Sequence, residues 1–224
     1  MNTEKWPYPL HSEFEARLKE AAERWFRAKG YPVKSRQPYV LDALKNWERN
    51  LIVPEVGRYI NREIAERKRL GEGFALHRSV HYGQSSQALL FNLVGPLVLS
   101  SDFEPLHAAF VEAGLLWPDG PWTTQFEFED RRVFCEDRGQ PTSVDFVAMG
   151  TQGPPIFMEC KLVETGFGGC SVYGRGDCPG TNPSRDYSSC YLHRIGRRYW
   201  TLMEKHGLVV GPVLTDYWCV LASH

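Results

Sequence analysis

The feature that most constrains the fold is a change in hydrophobic periodicity near Trp122. Upstream of it, apolar residues recur every three to four positions, whereas between Trp122 and Phe134 they alternate with polar residues. Such alternation is typical of a strand with one buried face. Two further apolar segments follow, each after a turn: SVDFVAM over 143–149 and IFMECKLV over 156–163. The sequence therefore predicts a meander of three short strands.

The flanking segments are predicted to be helical from their amphipathic spacing and their terminal residues. Ser12 and Glu15 form a capping box at the start of a helix over 10–29, which Gly30 ends. Further helices are predicted over 55–69, 84–98, 102–114 and 188–205, and a last strand over 213–222. This order indicates a layered α/β or α+β domain with a central mixed sheet.

Composition excludes several classes of protein. The 224 residues suit one large domain, or a domain with an extension, and 42% hydrophobic with 24% charged residues excludes a disordered or fibrous chain. The longest apolar run, 88–100, contains Asn, Gly and Pro and is too short to cross a bilayer. The N-terminus has acidic residues where a signal peptide needs an apolar stretch. We expect a cytoplasmic protein with reduced thiols.

Charge is distributed unevenly, although the formal net charge is only −1. Residues 1–70 carry 15 basic and 10 acidic side chains, whereas residues 101–140 carry 3 basic and 9 acidic ones. A basic N-terminal third is compatible with nucleic-acid binding. Taken alone, the pattern is explained more simply by an ordinary solvated surface.

Three charged residues in the apolar strands carry the strongest chemical signal. Asp145 lies in the second strand, and fourteen residues later Glu159 precedes Lys161 by two positions in the third. Residues two apart on a strand face the same side, so Glu159 and Lys161 project together while Cys160 points away. Two carboxylates suit a hard cation such as Mg²⁺, and an ammonium can orient or activate a water. The alternative is a surface Asp with an exposed Glu–Lys pair.

This arrangement resembles the PD-(D/E)XK phosphodiesterase superfamily, whose members have the restriction-endonuclease-like fold. Asp145 matches the Asp of the motif, and Glu159-Cys160-Lys161 match its (D/E)-X-K segment. Val144 stands where the family often has a proline. The resemblance implies the αβββαβ core over residues 81–224, preceded by a helical N-terminal extension over 1–80.

The resemblance also implies a function, a metal-dependent nuclease acting on DNA in a bacterial defence or repair setting. Asp145 and Glu159 would hold Mg²⁺ or Mn²⁺ together with the Cys160 carbonyl, and Lys161 would activate the attacking water. Gln87, from the first core helix, would join the catalytic site. A homodimer or larger complex would suit cleavage of both strands. A non-catalytic nucleic-acid-binding or assembly subunit of the same fold is the alternative.

Glu127, on the first strand, could face the same side as Asp145. Alternation along that strand favours the simpler interpretation, in which Glu127 belongs to the polar face.

A glycine-rich loop over 165–193 contains three cysteines and a histidine. Cys170, Cys178, Cys190 and His193 could form a tetrahedral Zn²⁺ site that orders the loop. An iron–sulfur cluster is an alternative that would need a fourth thiol, such as Cys160 or Cys135. Free thiols are the alternative to a metal site. A metal-ordered loop could also dock a partner protein.

Three arginines follow this loop in the predicted helix over 188–205. Arg194, Arg197 and Arg198 share a face by their i, i+3, i+4 spacing. Arginine binds phosphate in a bidentate manner, so these residues are candidate nucleic-acid contacts. A solvated helix face is the alternative.

Overall fold

The computed structural model describes residues 11–118, 120–136, 139, 141–164, 175–177 and 190–207. The helices in this part of the chain are α1 His11–Ala28, α2 Pro54–Leu70, α3 Ser86–Ser100, α4 Glu104–Glu112, α5 Tyr191–Arg194 and α6 Tyr199–Lys205. A 3₁₀ helix covers Leu44–Asn50. The strands are β1 Val33–Lys34, β2 Gln37–Leu41, β3 Thr123–Phe128, β4 Val144–Met149 and β5 Ile156–Met158.

The chain forms two compact units. The first contains the described residues up to Phe128 together with Val144–Val163, and the second contains Glu129–Ser143 together with the described residues from Glu164 onward. The first unit therefore holds helices α1–α4 and all five strands, and the second holds α5 and α6. The predicted division into an extension over 1–80 and a core over 81–224 stays a prediction.

Helix ends in the first unit follow the residues that mark them in the sequence. The Ser85 hydroxyl accepts a hydrogen bond from the Ala88 amide at 3.2 Å and so caps the start of α3. Gly71 ends α2 in the left-handed conformation, with φ of 76°. The predicted helices over 10–29, 55–69, 84–98 and 102–114 are confirmed within a few residues at each end.

The three-stranded sheet of the first unit is antiparallel, with the strand order β3-β4-β5. Phe126 lies opposite Phe146 in the β3–β4 register, with ring centroids 5.1 Å apart. Phe91 of α3 meets Phe126 edge-on at 5.2 Å. These buried aromatic contacts pack α3 against the sheet and fix the position of its central strand.

Helix α2 packs closely on α3. A Cβ atom added at Gly95 would lie 2.5 Å from Val56 Cγ1 and 2.9 Å from Val56 Cγ2. The two helices can therefore approach this closely only because position 95 has no side chain. This contact places α2 within reach of the sheet residues described below.

Several predicted elements differ from those in the structure. Strand β3 ends at Phe128 rather than at Phe134, and β5 ends at Met158, before Glu159. The predicted helix over 188–205 is instead two short helices, separated where Gly196 adopts a φ of 91°. The predicted strand over 213–222 lies outside the described residues.

The described architecture is a mixed α/β fold with a small antiparallel sheet and several helices. It is consistent with a restriction-endonuclease-like domain. Among the helices described, none has the length and apolar character needed to cross a membrane.

Candidate active site

Asp145 lies at the centre of the candidate site. It is on β4, where only 6% of the residue is exposed, and its Oδ2 accepts a hydrogen bond from the Cys160 amide at 2.7 Å. Burial raises the pKa of the Asp145 carboxyl, and the nearby charge of Glu159 raises that pKa further. The Cys160 amide, Lys161 and His77 counteract part of this shift. Asp145 is therefore a carboxylate held at an energetic cost within the fold.

Glu127 lies beside Asp145 on the neighbouring strand. The pairs Phe126–Phe146 and Phe128–Val144 put Glu127 opposite Asp145 in the β3–β4 register. Glu127 is fully buried, and its Oε1 accepts a hydrogen bond from Gln87 Nε2 at 2.6 Å. Two carboxylates are thus brought together in the interior of the first unit.

A histidine completes this group. His77, Glu127 and Asp145 each offer one ligand atom, and these three atoms all lie within 4.8 Å of one another. His77 is exposed, whereas both acids are buried, so the group opens to solvent on the histidine side. Carboxylate and imidazole donors fit a divalent cation such as Mg²⁺ or Mn²⁺, the imidazole favouring the latter. The residues present therefore fit the predicted metal.

Gln87, predicted as a catalytic residue, connects two members of this group. It is almost fully buried on α3 and donates from Nε2 to the Ala75 carbonyl at 2.9 Å as well as to Glu127. Its Oε1 accepts a hydrogen bond from the His77 amide at 2.9 Å. These contacts place Gln87 as a support that joins the His77 segment to the Glu127 carboxylate.

Glu159 and Lys161 lie near Asp145 and influence the pKa of its carboxyl. Lys161 Nζ is 2.5 Å from Glu159 Oε1, and both side chains are partly exposed. The two residues follow the end of β5, where the Cys160 amide donates to the Asp145 side chain. Among the described residues, Glu159 does not belong to the group of close ligand atoms. The role of the Cys160 carbonyl stays a prediction.

Sequence reasoning missed His77 as a member of the site, and it considered Glu127 but favoured a place on the polar face of the strand. The strand register contained a signal for Glu127, because the residue opposite Asp145 can be counted once the hairpin is aligned. Alternation instead assigned Glu127 to a polar face, and its positive φ of 49° shows where regular alternation fails. His77 lies in an irregular segment before α3, where the sequence offers no periodicity to place it.

The predicted Zn²⁺ site falls only partly within the described residues. Cys170 and Cys178 lie outside them, whereas Cys190 is buried just before α5 and His193 is on that helix. Both the zinc site and the iron–sulfur alternative stay predictions.

The three predicted nucleic-acid-binding arginines lie in the second unit and have different surroundings. Arg194 and Arg198 are exposed, whereas Arg197 is buried and forms an ion pair with Glu136 at 2.5 Å. Burial alone would raise the pKa of Glu136, but hydrogen bonds from Thr142 and Tyr199 and the charge of Arg197 hold it below its usual range. Arg197 is thus engaged inside the protein, since the break at Gly196 removes it from a common helix face with its neighbours.

Comparison with known proteins adds one finding to this geometry. A family model described as "Restriction Endonuclease associating with ARP" matches residues 19–214. No curated protein and no solved structure matches the chain. The matched range includes the candidate metal ligands His77, Glu127 and Asp145. It also includes the Glu159–Lys161 pair.

Proposed function

The chain belongs to the family of restriction endonucleases associating with ARP, and on that premise we propose that it is a metal-dependent nuclease hydrolysing phosphodiester bonds in DNA. The observation that carries the proposal is the buried pair Glu127 and Asp145, with His77 completing a set of ligand atoms within 4.8 Å. The family supports nuclease chemistry in general. The PD-(D/E)XK assignment, the metal dependence and the choice of DNA are parts of the proposal.

The metal would be held by Asp145, Glu127 and His77, with Glu159 and the Cys160 carbonyl as further candidates. A bound Mg²⁺ or Mn²⁺ would supply charge stabilisation on the scissile phosphate and lower the pKa of a bound water. Burial of the two acids supports this assignment, because adjacent carboxylates in a protein interior repel each other unless a cation or a proton lies between them.

Lys161 is the candidate for the charged catalytic group. Its ammonium is held by Glu159 and bears electrostatically on Asp145, whose pKa it lowers. In that position Lys161 would orient the attacking water or neutralise charge that develops on the phosphate. The partial exposure of Lys161 would allow it to meet a bound substrate.

Contacts to the phosphate backbone of DNA would come from exposed basic side chains. Arg194 and Arg198 keep their predicted role, whereas the buried Arg197 is assigned to the stability of the second unit. Arginine side chains of this kind bind phosphate oxygens without reading base sequence. A bacterial defence or repair setting, a cytoplasmic location and assembly into a dimer or larger complex complete the proposal.

The test is a cleavage assay on linear, circular and single-stranded DNA with Mg²⁺ or Mn²⁺. We expect metal-dependent cleavage by the wild type, a loss of at least about 100-fold in Lys161→Ala from loss of its charge and proton-transfer role, and unchanged activity in the exposed control Lys45→Ala. Wild-type cleavage that survives in Lys161→Ala would contradict the assigned role of Lys161. DNA binding with no cleavage in any metal would favour the non-catalytic binding or assembly subunit.

A further inference from the structure

We propose that Arg67, on α2, is a positioning residue for the metal centre: its guanidinium fixes the backbone turn that directs the Glu127 carboxylate toward Asp145. The inference rests on the proposed function, because it concerns residues that would hold the metal. Arg67 and Glu127 are 60 residues apart in the sequence, and they meet only in the folded first unit.

The backbone at Glu127 adopts a conformation that needs support. Its φ of 49° lies in the left-handed region, which is uncommon for a residue other than glycine and persists where surrounding contacts impose it. Phe126 and Glu127 are consecutive and both fully or almost fully buried, so the usual alternation of strand side chains is broken here. A glycine would adopt this conformation freely, but it would remove the carboxylate.

Arg67 contacts the backbone on both sides of this turn. Its Nη1 donates to the Glu127 carbonyl at 2.7 Å, and its Nη2 donates to the Phe126 carbonyl at 2.5 Å. The guanidinium is buried and lies 4.9 Å from the centre of the Phe74 ring. A planar guanidinium can bond two successive carbonyls at fixed spacing, which a single ammonium cannot do.

Arg67 and Gln87 therefore act on different parts of the same residue. Gln87 binds the Glu127 carboxylate, and Arg67 binds the peptide groups from which that side chain projects. Groups that orient metal ligands commonly change metal affinity by 10–100-fold when they are replaced. Lysine has a single ammonium in place of the two guanidinium nitrogens that bind the Phe126 and Glu127 carbonyls. Arg67→Lys should therefore weaken metal binding without removing a ligand.

The test is a calorimetric titration of the full chain with Mn²⁺ alone, in a double-mutant cycle. We expect Arg67→Lys to bind Mn²⁺ roughly tenfold more weakly than the wild type. In the Glu127→Gln background, which has no carboxylate to direct, Arg67→Lys should cause no further loss. Arg62→Lys, an exposed change on the same helix, is the matched control and should leave the affinity unchanged.

Each alternative outcome has a distinct meaning. An equal loss in both backgrounds would show a general structural effect of Arg67 and overturn the inference. Weaker binding in Glu127→Gln together with wild-type binding in Arg67→Lys would overturn the inference and leave the proposed metal site standing. An absence of Mn²⁺ binding by the wild type would contradict both.

A second variant keeps the inference testable where Arg67→Lys does not fold. Phe74→Leu keeps the Arg67 guanidinium that donates to the Phe126 and Glu127 carbonyls but removes the ring against which it lies. We expect a smaller loss of Mn²⁺ affinity in the same direction, again absent in the Glu127→Gln background. Wild-type affinity in Phe74→Leu would count against the positioning role.

Discussion

At the scale of single residues, the buried carboxylate of Asp145 costs stability that the proposed metal would recover. Burial is the main cause of its raised pKa, and the charge of Glu159 adds to it. A carboxyl whose pKa is raised on folding stabilises the protein only while protonated, and the contribution is lost as pH rises through the folded-state pKa. The ionised Asp145 carboxylate therefore lowers the free energy of unfolding of the metal-free protein at neutral pH.

We predict that Asp145→Asn stabilises the metal-free protein at pH 7–8 by about 1 kcal/mol, because the buried charge is removed while the acceptor for the Cys160 amide remains. At a pH of about 2–3, well below the ordinary aspartate pKa of about 3.9, the carboxyl is protonated in both states and the difference should vanish. Urea unfolding in EDTA across this pH range measures the difference in the free energy of unfolding between the variant and the wild type. A variant that is less stable than the wild type at neutral pH would refute the prediction.

His77 gives a separate prediction about the composition of the metal site. Pulsed electron paramagnetic resonance of bound Mn²⁺ should show coupling to an imidazole nitrogen in the wild type, because His77 lies within ligand distance of both acids. The coupling should disappear in His77→Gln, with a fall in Mn²⁺ affinity of about tenfold. His107→Gln, on α4, is the control and should keep the signal. Persistence of the coupling in His77→Gln would exclude this ligand.

At the scale of elements, the sequence predicted what depends on local spacing. Ser85 caps the start of α3 and Gly71 ends α2, and both helices have the apolar spacing of their predicted ranges. The hairpin that carries Asp145 was predicted from the alternation over 122–134 and the apolar segment over 143–149 that follows a turn. These features are encoded within a few residues of one another, so no tertiary information was needed.

The features that sequence reasoning missed depend on contacts between distant residues. Arg67 begins a run of three basic residues in the sequence, yet its guanidinium binds carbonyls 59 and 60 residues away. Arg197 had the spacing of an exposed helix residue, yet it pairs with Glu136. Neither periodicity nor composition reports such pairings. Supporting contacts such as these can therefore be identified only in the folded structure.

The contact between α2 and α3 leads to a prediction about packing. Gly95→Ala should destabilise the protein by about 1–3 kcal/mol, because the added methyl group would overlap the Val56 side chain. Val56→Ala in the same chain should recover part of this loss by making room. Thermal unfolding of the two single variants and the double variant measures the effect. A Gly95→Ala variant as stable as the wild type would show that the helices are not in close contact here.

At the scale of the whole molecule, the two units contain buried charge of different kinds. The first unit buries two acids beside an exposed histidine, which suits a ligand-binding site. The second buries a complete pair, Glu136 with Arg197, in which Thr142 and Tyr199 also bind the carboxylate. A buried ion pair whose carboxylate is also hydrogen-bonded is a structural feature rather than a binding site.

We predict that Arg197→Leu lowers the free energy of unfolding by about 3 kcal/mol, because Glu136 would be left buried without its cation. Arg198→Leu, an exposed neighbour, should change stability little but weaken DNA binding at low salt. Chemical unfolding and DNA-binding titrations distinguish the two variants. Equal stability of the Arg197→Leu variant and the wild type would contradict the structural assignment.

The central claim is that the chain is a nuclease whose metal centre includes the buried Glu127. Single-turnover cleavage of DNA with saturating Mn²⁺ tests it most directly, comparing the wild type with Glu127→Gln and with the exposed control Glu112→Gln. We predict cleavage by the wild type and the control, and a loss of at least about 100-fold in Glu127→Gln from removal of a charged metal ligand. Wild-type cleavage rates in Glu127→Gln would contradict the account.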